Sequence, residues 1–422
     1  MKWNGTGRGL RALNVIGVSL AVGLGMTACS RDYTVAYVYA TSATKTVNGE
    51  VNGYAVDYQT GALVQLADSP IPSGGDDPVT LVASPNNQYV YVVNQISSSI
   101  VKFAVGTDGK LYGQTTYPVV QNSGATIVGS NPTAATIDPT GNFLVVTFTY
   151  QNGYTVARPG PGGFGIYSIS PADGSLTLVP NTAANLPYYP VEGNPVGVAY
   201  GKNGEIYVID ADTPATGAPF GVLLPYKLTN ITNPTASTPG SLTATLVPGG
   251  TVNGGFAAGT LPGGIAVDPT GSFIYITDSA TNQIYAYNQF QYVPTPVRSS
   301  PYPTGNDPLG VTVDPRGLYV YVANYGSNTI SAYAITVSTG ALAGAATGGQ
   351  TTDTGPTCVA IEPALGIYTF TSNKVDNSVS AEQLSPQTGS LTAVLGTPFG
   401  AQALPTCVVA VANGAHATQV IQ

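Results

Sequence analysis

Short apolar runs alternate with turn residues along most of the chain, and the alternation repeats at long range. A proline at 78, 132, 195, 262, 308, 356 and 405 opens seven segments, each continuing at once into a short apolar strand pattern. Seven residues after each proline stands a second landmark: Pro85, Pro139, Lys202, Pro269, Pro315, Pro363 and Ala412. It usually falls within a turn such as Asp138-Pro139-Thr140-Gly141, Asp268-Pro269-Thr270-Gly271 or Asp314-Pro315-Arg316-Gly317. Asp first, Pro second and Gly fourth is a type I turn preference: Asp caps the turn, Pro presets φ and Gly relieves the exit. Each landmark pair therefore predicts a β-hairpin.

After each turn comes a run rich in Val, Ile, Tyr and Phe, at 89–93, 143–147, 206–209, 273–277, 318–323 and 367–370. A further run at 37–40 has no inner strand before it, and the run at 408–411 has the inner pattern but no second strand after it. The two complete one another if the C-terminal strand joins the N-terminal blade, which closes the ring and removes exposed sheet edges. Successive opening prolines are 54, 63, 67, 46, 48 and 49 residues apart, near the roughly 40 to 50 residues of known propeller repeats. The expected fold is an all-β, seven-bladed β-propeller over residues 36–414, followed by a C-terminal tail at 415–422.

Composition agrees. Of the 422 residues 43% are hydrophobic and only 8% charged, enough to bury a large core. Gly 52, Pro 33 and Tyr 27 are the usage of many short strands and tight turns. The net charge is -8 and the 13 Lys and Arg are scattered, so no basic footprint exists for nucleic acid.

Residues 1–28 have a secretory signal layout: Lys2, Arg8 and Arg11, then an apolar stretch at 12–25, then Met26-Thr27-Ala28-Cys29. The stretch is too short to span a bilayer. Cys29 directly after Ala28 resembles a bacterial lipoprotein signal, with Met26 where Leu is usual. The resemblance implies acylation of Cys29, with 29–35 as a short tether and the membrane as a partner through the N-terminal lipid. Simple cleavage and a retained helix are the alternatives. The domain is expected to be exported, facing the periplasm or the cell surface. Ser30, rather than Asp, points to the outer membrane in a Gram-negative cell.

Three second-strand segments carry a family resemblance. Tyr91-Val92-Val93-Asn94, Tyr275-Ile276-Thr277-Asp278 and Tyr321-Val322-Ala323-Asn324 resemble the YVTN repeat of seven-bladed lactonase-like propellers. That group includes bacterial 6-phosphogluconolactonase and a fungal carboxymuconate-lactonising enzyme. The resemblance covers residues 37–412 and implies the fold more strongly than the reaction, since such propellers also serve as surface-layer and binding proteins. The family's enzymes place His, Arg and Glu near the central channel. Here the only histidine is His416, in the tail, and the channel-mouth positions are Thr133-Ala134, Val196-Gly197, Gly263-Gly264, Leu309-Gly310 and Thr357-Cys358. Arg316 belongs to a hairpin turn on the opposite face. No lactonase active site carries over, and the catalytic residues are unassigned.

Other chemistries find no support. There is no histidine pair for zinc, no cysteine pair at metal-ligand spacing, no Walker loop and no dinucleotide fingerprint. The Gly-rich stretch 159–163 precedes no helix, so no cofactor is expected. Asp76, Asp77, Asn131, Asn194 and Asp307 precede opening prolines. Capping of that turn is the preferred reading, with Ca²⁺ binding as the alternative. Cys358 and Cys407 each lie two residues after an opening proline, at equal height on neighbouring inner strands, and are expected to form a disulfide; two buried free thiols are the alternative.

Long excursions at 149–165, 180–194, 211–221 and 248–261 are expected to share one face as a lip. It carries Tyr150, Tyr154, Arg158, Tyr188, Tyr189, Glu192, Phe220 and Phe256, a set suited to sugars, cyclic esters or peptides. The alternative is that these aromatics pack the loops together. The expected function is a binding or scaffold propeller at the cell envelope, acting as a monomer on an unknown small molecule, carbohydrate or protein. The alternative is a lactone hydrolase, and the channel wall discriminates between them.

Overall fold

A computed structural model of the chain describes residues 34–43, 48–121, 127–191, 193–202, 204–211, 221–250, 254–344, 349–414 and 420–421. Seven antiparallel sheets form the seven blades. Blades 1 to 6 open at Pro78, Pro132, Pro195, Pro262, Pro308 and Pro356. Blade 7 is composite: its inner strand, Pro405–Ala412, pairs with Thr34–Ser42, Tyr39 lying opposite Val409. The ring closes by the expected route. It begins two residues earlier than residue 36, because Thr34 already pairs with Asp57.

Six of the seven prolines sit where a missing N–H costs least, at the head of the inner strand opposite the last residue of the second strand, as in Pro78 with Asn94 and Pro308 with Asn324. In blade 2 the strand Ile127–Ile137 starts upstream of Pro132 and bulges there. Asp77, Asn131 and Asp307, just before their prolines, adopt φ of 55°, 62° and 52°, a region Asn and Asp tolerate. The Asp77 and Asp307 carbonyls accept from the Gln95 and Tyr325 N–H groups, each at 2.8 Å. The predicted turns also form. Asp138 Oδ1 accepts from the Phe143 N–H at 2.6 Å, its Oδ2 from the Thr140 N–H and hydroxyl, and Asp268, Asp314 and Glu362 repeat the device.

The repeat tyrosine joins the blades. Tyr39, Tyr91, Tyr275 and Tyr321 donate their hydroxyls to the carbonyls of Gly109, Gly174, Gly340 and Gly389 in the outer hairpin of the next blade, at 2.6 to 3.1 Å. Burial pushes these phenols far above the usual tyrosine range, so they remain neutral donors. The hairpin glycine is required at Gly109: its φ is 75°, and a Cβ there would lie 2.1 Å from the Tyr37 ring. Blade 2 has Val145 at the tyrosine position, and there the blade 2–3 seam is held by apolar packing of Phe143, Val145 and Phe164 on Ile206 and Val208.

In six blades the outer strand is split into two short pieces; only blade 1 has it continuous, Leu111–Pro118. This division decides the fate of two of the long excursions, 180–194 and 248–261.

Candidate functional site: the channel and its mouth

The seven inner strands line the central channel, and from each opening proline to the strand end they contain no Asp, Glu, Lys, Arg or His. Their channel-side residues are half-buried Thr, Val, Ala and Gly. Three wall hydroxyls are spent on neighbouring strands: Thr133 and Thr406 donate to the Pro195 and Pro78 carbonyls at 2.6 Å and Thr357 to Thr406 at 2.9 Å; Thr277, on the second strand of blade 4, likewise donates to Leu309 at 2.8 Å. The glycines mark where backbones converge. A Cβ on Gly264 would sit 2.4 Å from the Leu309 carbonyl oxygen, and one on Gly310 2.8 Å from that of Thr357. At these two positions the neighbouring strand leaves no room for a Cβ.

Cys358 and Cys407, on the inner strands of blades 6 and 7, are joined by a disulfide with Cα atoms 4.9 Å apart. Arg316 is a clamp on the face away from the mouth: it pairs with Asp314 at 2.6 Å and donates to the Gly366 and Ile421 carbonyls. His416 lies outside the described residues.

The residues before the prolines hold backbone and loop. Asp76 Oδ1 accepts from the Asn48 N–H at 2.9 Å, and Asn131 Nδ2 donates to Thr149 Oγ1 at 3.1 Å. The last residue of the second strand does similar work: Asp278 accepts from the Thr260 and Leu261 N–H groups, both at 2.9 Å. The Tyr and Asn/Asp of the repeat are thus architectural.

Of the described residues expected on the lip, Tyr188, Tyr189 and Phe256 are drawn into the blades, while Tyr150, Tyr154 and Arg158 are not. Tyr188 and Tyr189 are core residues: Tyr188 meets Phe148 edge-on at 5.6 Å, and Tyr189 stacks on Phe164 at 5.1 Å. The reason is the split outer strand, whose second half in blade 2 is Tyr189–Pro190, paired with the third strand. Phe256 is likewise drawn into the second half of the blade 3 outer strand, opposite Leu223, and packs on the blade 3–4 core. Tyr154 and Arg158 remain together at the surface, guanidinium 5.6 Å from the ring centroid, with Tyr154 packed over Gly160. Tyr150 is half-buried, and Glu192 and Phe220 lie outside the described residues.

Sequence reasoning missed the acids with the most perturbed environments. At the mouth of blade 6, Asp353 is held above the usual carboxylate range by burial and by Asp376, which is held below it by Thr354 and Asp353. Glu382, in the blade 6 third strand, is pushed up to about 8 by burial, with one side-chain hydrogen bond, from Thr369 Oγ1 at 3.0 Å. Neither position belongs to the repeat landmarks, which were the only periodic signal available.

A family model for the seven-bladed β-propeller lactonases matches residues 28–149 and 243–361. The chain belongs to that family. No curated protein sequence matches this propeller, but solved structures do. A protein described as a candidate 6-phosphogluconolactonase from Bacteroides uniformis is 18% identical, with a TM-score of 0.66 over 90% of this chain and 100% of its own. A similar candidate from Bacteroides fragilis gives 16% and 0.64 over 90% and 99%. A periplasmic gluconolactonase from Pseudomonas aeruginosa gives 16% and 0.63 over 90% and 100%. At such identities the likeness shows the fold. The stretch between the two matched segments, 150–242, includes three of the four long excursions, where this lactonase-family propeller departs most from the common repeat.

Proposed function

We propose that this propeller is a non-catalytic binding or scaffold member of the lactonase family, exported and held at the cell envelope by a lipid on Cys29. The observation that carries the first half is the channel wall: seven inner strands with no Asp, Glu, Lys, Arg or His from opening proline to strand end. Lactone hydrolysis needs a group to activate water or to stabilise the developing oxyanion; threonine hydroxyls, three of them already bonded to neighbouring carbonyls, are too weakly basic to activate water. The signal layout and Cys29 support the second half. Incubating the purified domain with a panel of sugar and aromatic lactones tests the reading. No turnover above the uncatalysed rate is expected; turnover that survives rigorous repurification overturns it in favour of a lactone hydrolase acting through groups at the mouth.

A further inference from the structure

Thr34 begins the second strand of blade 7 opposite Asp57, whose turn forms the outer hairpin of that blade. The chain therefore joins the propeller on the face of the hairpin turns, opposite the mouth. Cys29 precedes Thr34 by five residues, a reach of at most roughly 17 Å when extended. A lipid on Cys29 would keep this face, and not the mouth, within that distance of a bilayer.

The same face carries all three exposed aromatic side chains among the described residues: Tyr58 at 42%, Tyr112 at 50% and Phe290 at 66%. Tyr58 lies in the outer turn of blade 7, beside the place where the chain enters. Tyr112 follows the outer turn of blade 1, where its hydroxyl donates to Asp108 at 2.8 Å. Phe290 ends the third strand of blade 4, at the hairpin Phe290–Val293 on the far side of the ring. Among the described residues the mouth face exposes aliphatic tips, Ile96, Val156 and Val375, but no aromatic to this extent. The two tyrosine rings, with one apolar and one polar end, suit the membrane–water boundary, and the wholly apolar Phe290 ring gains by leaving water for the acyl region.

We propose that the hairpin face rests on a zwitterionic lipid surface, touching it at Tyr58, Tyr112 and Phe290, and that the mouth points away from the membrane. Three points on both sides of the ring define a plane, so the contact fixes orientation as well as distance. A net charge of -8 disfavours anionic headgroups. The proposal rests on the lipid anchor, and the test separates the two.

The sole tryptophan, Trp3, lies in the signal segment, so the processed chain accepts a single reporter. Full-length Phe290→Trp and Ile96→Trp variants, purified with their lipid, are reconstituted on vesicles of brominated phosphatidylcholine. The mass of the N-terminal peptide reads acylation of Cys29. Trp at 290 is expected to shift to the blue and lose roughly half its emission, while Trp at 96 is unchanged. An unquenched Trp at 290, or equal quenching at 96, in an acylated protein overturns the docking alone. An unmodified Cys29 overturns the anchor and, with it, the docking. If Phe290→Trp fails to fold, Tyr112→Trp reports on the same face.

Discussion

Glu382 offers a quantitative check on the interior. The residue is 1% exposed and, among the described residues, faces no cation within salt-bridge distance and has one hydrogen bond on its side chain, from Thr369 Oγ1. Burial disfavours the charged form and raises its pKa from 4.5 to about 8. The sign follows from proton linkage. The folded state holds this proton more tightly than the unfolded state, so its penalty is absent below about pH 4.5, grows as pH rises and levels off above about pH 8. At pH 7 the penalty is about 3 kcal/mol, and above pH 8 about 5 kcal/mol. Glu382→Gln keeps the shape and cannot ionise. The variant is expected to match the parent near pH 4.5 and to exceed it by about those amounts at pH 7 and pH 9. Urea unfolding followed by circular dichroism at the three pH values measures the difference, and background titrations cancel between the two proteins. A difference that stays flat from pH 4.5 to 9 would refute the argument, because the carboxylate would then be as well solvated in the fold as outside it.

Three further substitutions have expected outcomes, two from named contacts and one from the signal layout. Tyr91→Phe removes the hydroxyl that joins blade 1 to the Gly174 carbonyl and should cost about 1 to 3 kcal/mol in urea unfolding. Gly264→Ala places a Cβ 2.4 Å from the Leu309 carbonyl oxygen and should cost about 1 to 3 kcal/mol by overpacking. A soluble, unchanged domain from Gly264→Ala would mean that the inner strands can part. Cys29→Ala should abolish incorporation of labelled fatty acid in cells and move the protein from the membrane to the soluble fraction; continued membrane association would favour a retained helix over a lipid.

What the sequence determined was local and repeated. A proline at a strand head, an Asp-Pro-x-Gly turn and a β-branched run act within a dozen residues, so blade count, hairpin positions and closure by 405–412 were legible without coordinates. So was the approach of Cys358 to Cys407, since equal offsets from equivalent prolines place them at equal height. The tertiary structure alone decided which aromatics are core and which are surface. Tyr188, Tyr189 and Phe256 lie on excursions that fold back as outer half-strands, and their partners Phe148, Phe164 and Leu223 are 25 to 40 residues away in the chain. The burial of Glu382 also depends on packing around the blade that no period in the sequence marks. The need for glycine at two wall positions has the same origin: Gly264 and Gly310 look like flexible positions in one strand, and become necessary only when the next inner strand brings its carbonyl within contact.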